Sequence, residues 1–334
     1  MAQIKTKSAT QIDKEKIQLE ARFYPKFKAI FKNMAQDVSN LYSANGYVDS
    51  VEISLNYLPD FVKELRDVYR ATIKKFGFDL RKSLEGSKSF YFNSDIIEKL
   101  VDIEQKATIT VDDSSLDKKI NEINNIFNIE STIFISNQSE IQSTLISETN
   151  AKEISLIVEQ QEEFFIQQIA EREKELVKLE SQLTNLPDKQ RARALRQINA
   201  ARNNIQNQLA DKDSIIAKNI QQNLLDRSSS RAALVSDQNV GLAESWSRQT
   251  EAQTINNVGL VGANGNLIKI SKTWIAILDN KTRTAHAEAD LQQVAIDDTY
   301  IVDGEALRYP RDPRGSASNI INCRCVSEQS FSNI

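Results

Sequence analysis

The sequence predicts a mostly α-helical protein with a long antiparallel helical hairpin in the middle and a small α+β domain at the C-terminal end. Three observations carry that expectation. None of the nine glycines lies between residues 87 and 240, and the only proline in that span is Pro187. Glycine permits positive φ, and proline fixes φ and lacks a donor, so a stretch without them that is rich in Glu, Gln, Lys, Ala, Leu and Ile favours long helices. Apolar residues in that stretch recur at helical spacing on both sides of one turn signal. After residue 240 the composition changes: six of the nine glycines, both tryptophans, the single histidine and both cysteines lie there.

The organisation that follows is a helical N-terminal region over residues 1–149, a hairpin arm over 150–228 and an α+β domain over 229–334. In the first region, Phe23, Phe27, Ile30, Phe31, Met34, Val38 and Leu41 form one amphipathic stripe that ends near the SANG stretch. A second runs from Pro59 through Phe61, Leu65, Val68, Tyr69 and Ile73 to Gly77. Between 87 and 149 the pattern is mixed: ATITVDD alternates like a short strand, and SLDKKINEINNIF has helical spacing.

In the arm, Asn150 stands three residues before Glu153, a capping-box spacing that places a helix start there. Val158, Phe165 and Leu179 fall on one seven-residue series broken by Arg172, and Ile169, Leu176 and Leu183 share its face. TNLPDKQ supplies the turn, with Pro187 suited to the first position of a new helix and Asp188 to its positive end. Leu195, Ile198, Ile205, Leu209 and Ile216 continue on the return, interrupted by Arg202 and Lys212. Each arm spans about 30 residues, or roughly 45 Å, too little core to stand alone, so the arms are expected to pack on neighbours. Lys189, Arg191, Arg193, Arg196 and Arg202 cluster near the tip. They could touch DNA or an acidic partner ring, but a solvated helix face is the favoured reading, and without interleaved aromatic residues base stacking is not suggested.

In the last region, RAALVSDQNVGLAESWSRQTEAQTINN reads as a helix despite Gly241. LIKISKTWIAIL has strand character around Trp274, and DNKTRTAH is a loop leading into a short helix. Asp303-Gly304 suits a type I′ hairpin turn, and IINCRCV reads as a final strand. Strand alternation then turns Cys323 and Cys325 to one face and Arg324 to the other. His286 is the one imidazole able to join the thiols, and a Cys-Cys-His set can hold zinc with Asp279, Asp290 or water as a fourth ligand. The metal-free alternative packs the thiols as small apolar groups and pairs Arg324 with an acid.

Totals narrow the function classes. With 42 Lys+Arg against 46 Asp+Glu, the net charge of −4 is no overall signature of a nucleic-acid binder. No run approaches the ~18 apolar residues of a membrane helix, and no leader pattern opens the chain, so a cytoplasmic start with reduced cysteines is expected.

The order Trp274, Asp279 with KTRTAH (Arg283 and His286), VDGEAL with Gly304, RDPRGS with Asp312, and INCRC with Asn322 and Arg324 resembles the phage Mu protein F-like domain of the phage head morphogenesis, or minor head protein, family. The likeness covers roughly residues 230–326. Lys281 stands where the family has its first arginine, Asp290-Leu291 where members usually carry glycine, and Asp237-Gln238-Asn239 where Arg-Thr-Glu is common. The resemblance implies a structural, non-enzymatic virion protein assembled in the host cytoplasm. Its place would be the portal vertex or head interior, in several copies, with the portal protein and other head proteins as partners and contact with packaged DNA possible.

Family domains are sometimes fused to toxins; nine residues follow Cys325, so no effector is expected after it. An ADP-ribosyltransferase would need Arg, Ser-Thr-Ser and Glu-x-Glu in that order. Here the nearest pieces, Glu171-Arg172-Glu173 and the serines at 228–230, come in the wrong order. The alternative function is a metal-dependent nuclease, or another enzyme acting on nucleic acid, carried into the host with the genome. Asp279, His286 and Asp290 are its best available trio.

Overall fold

A computed structural model describes residues 7–77, 90–92, 113–262 and 268–333. Helix α1 spans Ala9–Asn45, α2 Ser50–Asn56 and α3 Leu58–Phe76. Phe23, Phe27, Ile30, Phe31, Met34 and Val38 of the first stripe are buried, as are Phe61, Leu65, Val68, Tyr69 and Ile73 of the second. Leu41 falls off the buried face, 42% exposed. Asp49 caps α2 by accepting from the Val51 and Glu52 amides, both at 3.0 Å. The expected ATITVDD strand lies outside the described residues.

Helix α4 then runs unbroken from Asp113 to Gln182. This corrects the helix start at Asn150, which sits inside the helix and is fully buried. The serines and threonines before it do not break the helix because several bond back to carbonyls one turn earlier: Ser139 to Ile135 at 2.6 Å and Thr149 to Leu145 at 2.8 Å. A capping-box spacing without a chain break does not end a helix. A 3₁₀ turn at Leu183–Asn185 precedes α5, Asp188–Ala210, and Pro187 is the residue just before α5 rather than its first. After Asp211, α6 continues from Lys212 to Val258. The return arm and the expected helix around Gly241 are therefore joined through one 47-residue helix.

The chain forms two compact units, and they are not consecutive stretches. One comprises Lys26–Val62 and Ile141–Ala232; the other comprises Met1–Pro25, Lys63–Glu140 and Ala233–Ile334. The dividing points fall inside α1, α3, α4 and α6. In the first unit, the base of the hairpin is covered. Phe27 and Phe61 stack at 6.4 Å, the Arg231 guanidinium lies 4.5 Å over the Phe31 ring, and Arg231 pairs with Glu153 at 2.6 Å. Tyr42 donates to Glu162 at 2.7 Å. Phe165, Ile169, Ile198, Ile205 and Ile216 are buried. Ile166 and Val177 are more than 60% exposed, and Phe164, Leu179, Leu195 and Leu209 between 40% and 49%. Arg202 of the basic run reaches across to Glu180 at 2.7 Å, and Arg191 bonds the Leu186 carbonyl at 3.2 Å.

The second unit carries the strands. β1 (Phe90–Phe92) pairs antiparallel with β2 (Leu260–Gly262). β3 (Ile268–Ile275) is the centre of an antiparallel sheet ordered β4-β3-β7, with β4 Gln293–Ala295 and β7 Val326–Asn333. Trp274 stands opposite Ser327, and Ile275 opposite Val326. β5 (Tyr300–Val302) and β6 (Glu305–Leu307) make the expected hairpin. Asp303 and Gly304 have φ of 52° and 75°, the two positive values a type I′ turn requires. Short helices α7 (Thr284–Glu288) and α8 (Ala317–Ile320) complete the order. Trp246 on α6 stacks on Phe134 at 4.0 Å, and Tyr69 donates to Asn239 at 2.5 Å. Among the described residues, no helix is long and apolar enough to cross a membrane.

Candidate metal centre

Trp274, Tyr300, Val302, Leu307, Cys323 and Cys325 form one buried cluster. Trp274 sits near the end of β3 and meets two rings edge-on, His286 at 5.8 Å and Tyr300 at 5.2 Å. Its backbone is held by the turn after α7: the Leu291 amide donates to the Trp274 carbonyl at 2.8 Å, and the Trp274 amide to Gln292 at 2.9 Å. That turn requires a positive φ at Leu291, 62°.

IINCRCV is not a strand. Ile321 and Asn322 form a turn, Cys323 to Cys325 belong to no strand, and β7 begins only at Val326. Asn322 takes φ 55°, a left-handed conformation asparagine tolerates better than most residues. Arginine side chains occupy carbonyls that a sheet neighbour would otherwise take: Arg283 bonds that of Ile321, and Arg311 that of Cys323 at 2.5 Å. Alternation survives locally. Cys323 and Cys325 are 1% and 3% exposed, while Arg324 turns outward. There it grips Asp279 with two bonds, 2.8 and 2.5 Å.

That pairing holds the Asp279 carboxyl well below the usual carboxylate range, helped by the Lys281 amide and Thr282. It also occupies the carboxylate as an ion-pair partner. Asp290 is engaged elsewhere, accepting from the Ala276 amide at 2.8 Å. Asp279, His286 and Asp290 therefore do not assemble into the carboxylate site a nuclease would use. Among the described residues, the one metal-competent group of three or more His, Cys, Asp and Glu side chains is His286, Cys323 and Cys325.

Within it, His286 Nδ1 lies 3.3 Å from Cys325 Sγ and 3.6 Å from Cys323 Sγ, and all the ligand atoms lie within 4.8 Å of one another. The Cys323 thiol is held well below its ordinary value by its hydrogen bond with Cys325; burial opposes this, and His286 and Arg311 assist it. Cys325 is pushed up, because it keeps a proton toward Cys323 and is buried. A cavity of about 20 Å³ opens beside them, lined by the three ligands with Lys281, Arg283 and Arg324 and, between these, Ile277, Thr282 and Asn322.

Asp312 is fully buried between Arg308 and Arg314 (3.1 and 2.9 Å) and holds the loop after β6. The sequence reading missed Arg311. Its guanidinium also bonds the Asp237 carbonyl and side chain, tying α6 to the cysteine segment. The signal was present in RDPRGS beside an intrahelical Gly241, but only the fold pairs them.

No family model matches this chain, and no solved structure matches it. One stretch of 60 residues is 38% identical to an NAD(+)--arginine ADP-ribosyltransferase named EFV from Enterococcus faecalis. The stretch is 18% of this chain and 12% of that protein, so this chain spans about an eighth of the relative it matches.

Proposed function

We propose that this chain is a structural minor head protein of a tailed phage, placed at the portal vertex or head interior and acting in head assembly and genome packaging or ejection. One observation carries the reading. Motif stretches that resemble those of the Mu F-like domain are tied down by braces, three of them to one another. Arg324 holds Asp279, Arg283 holds the INCRC turn, Asp312 holds two arginines, and Trp274 packs on His286. These residues are spent on holding a small domain together, as a scaffold requires. The hairpin adds a surface for the portal protein or neighbouring head proteins, since Ile166 and Val177 stay exposed on its outgoing arm, α4. Mass spectrometry of purified immature and mature particles is the test. Detection in either supports the role, and absence from both overturns it.

A second reading, an enzyme carried into the host with the genome, rests on the shared stretch with the Enterococcus protein. Turnover of NAD⁺ or of nucleic acid by the purified soluble chain would favour it.

A further inference from the structure

We infer that His286, Cys323 and Cys325 form a zinc-binding site with water in the fourth position, serving to clamp α7 to the segment before β7. The inference does not depend on the role in a phage head. It rests first on geometry. Tetrahedral zinc with Zn–S of about 2.3 Å and Zn–N of about 2.0–2.1 Å separates sulfur from nitrogen by about 3.6 Å. The observed Nδ1–Sγ separations are 3.3 and 3.6 Å. The two nitrogen–sulfur separations are thus close to those of a zinc tetrahedron, and the three ligand atoms lie within 4.8 Å of one another.

Donor chemistry is the second support. Two sulfurs and one imidazole nitrogen suit zinc over the hard cations, which take oxygen ligands. Competing oxygen donors are withdrawn, because Asp279 is held by Arg324 and Asp290 by the Ala276 amide. Arg324 stands between the two cysteines in sequence and lines the same cavity, with its charge paired to Asp279.

The adjacent cavity is the third. About 20 Å³ has room for one water-sized occupant, as the fourth position would need. Binding is balanced as a proton exchange: zinc takes both sulfurs as thiolates, whatever protons the pair carries leave to solvent, and His286 contributes a lone pair at Nδ1. The result is a neutral dithiolate–imidazole–water centre, tolerable at a site whose ligands are 1–3% exposed.

The experiment uses the full chain. Protein purified without chelator is assayed for metal by plasma emission, then stripped with a chelator, and its melting is followed with and without added zinc. Cobalt is substituted in parallel. Expected are about one zinc per chain, a fall of several degrees in Tm on stripping that zinc reverses, and a thiolate-to-cobalt charge-transfer band. Cys325→Ser should weaken that band and abolish the zinc-dependent rise in Tm. If this variant does not fold, the wild-type cobalt spectrum and the response of stripped protein to zinc decide alone. Substoichiometric metal, no cobalt–thiolate band and a Tm indifferent to zinc would overturn the site.

Discussion

Arg311 lies against the bare Cα of Gly241: a Cβ built there would come within 2.5 Å of both the guanidinium carbon and Nε. The guanidinium is thereby close enough to α6 to bond Asp237 at 2.8 Å while holding the Cys323 carbonyl at 2.5 Å. Arg311 is 1% exposed, so it has no solvent to retreat into. The glycine is a passage for this side chain rather than a weak point in the helix.

Gly241→Ala tests that assignment because propensity and packing predict opposite signs. In a helix interior, alanine is better than glycine by about 0.5–1 kcal/mol. Here the added methyl displaces a buried, charged side chain from three acceptors, a class of change that costs several kcal/mol. The expected outcome in chemical denaturation is a net loss of at least ~2 kcal/mol. A stabilised variant would mean that Arg311 is easily repositioned.

Much of the fold was legible in the sequence because it depended on local signals. The stripes from Phe23 to Val38 and from Phe61 to Ile73, the turn at Pro187 and the Asp303-Gly304 hairpin are written in spacing and turn chemistry. Two features were not legible. The Asn150 start failed because Ser and Thr can satisfy themselves inside a helix, so the cap residues carried no break. The final strand failed because Arg283 and Arg311, 38 and 12 residues away, take the carbonyls of its first residues. The thiols still converge on His286, both buried on either side of a partly exposed Arg324.

Leu291 holds a left-handed conformation, φ 62°, that glycine adopts without strain, and its side chain is 69% exposed. Left-handed backbone costs a residue with a Cβ roughly 1–2 kcal/mol, and the larger unfolded-state entropy of glycine returns about half of that. Leu291→Gly should therefore raise stability by up to about 1 kcal/mol, with the Trp274 contacts intact by tryptophan fluorescence. A fall in stability would show that the exposed leucine contributes packing that its position does not suggest.

Asp312 contributes to the acid sensitivity of the second unit. Burial pushes its carboxyl up, but hydrogen bonds from Arg308 and Arg314 prevail and bring it down to about 2. A folded-state value below the unfolded one stabilises fully above the ordinary carboxylate range, and the contribution is lost as pH falls from about 4 to about 2. The depression corresponds to about 2 kcal/mol. Asp312→Asn should lose about that much at pH 7 and flatten the dependence of Tm on pH in that window. An unchanged acid profile would assign the acid transition to other carboxylates.

The hairpin prediction separates contact from stability. Phe165 is 5% exposed, so charge there would unfold the arm and say nothing of partners. Ile166 and Val177, at 61% and 63% exposed, present apolar surface instead. Replacing each with Glu changes a surface position, where effects on stability are usually within about 0.5 kcal/mol. If these residues meet the portal protein or a neighbouring head protein, the burial each loses is worth roughly 1.5–3 kcal/mol. Incorporation into particles should then fall by more than tenfold for the double variant, with circular dichroism and Tm unchanged. Normal incorporation of a folded double variant would make the arm a spacer and move the contact to another face.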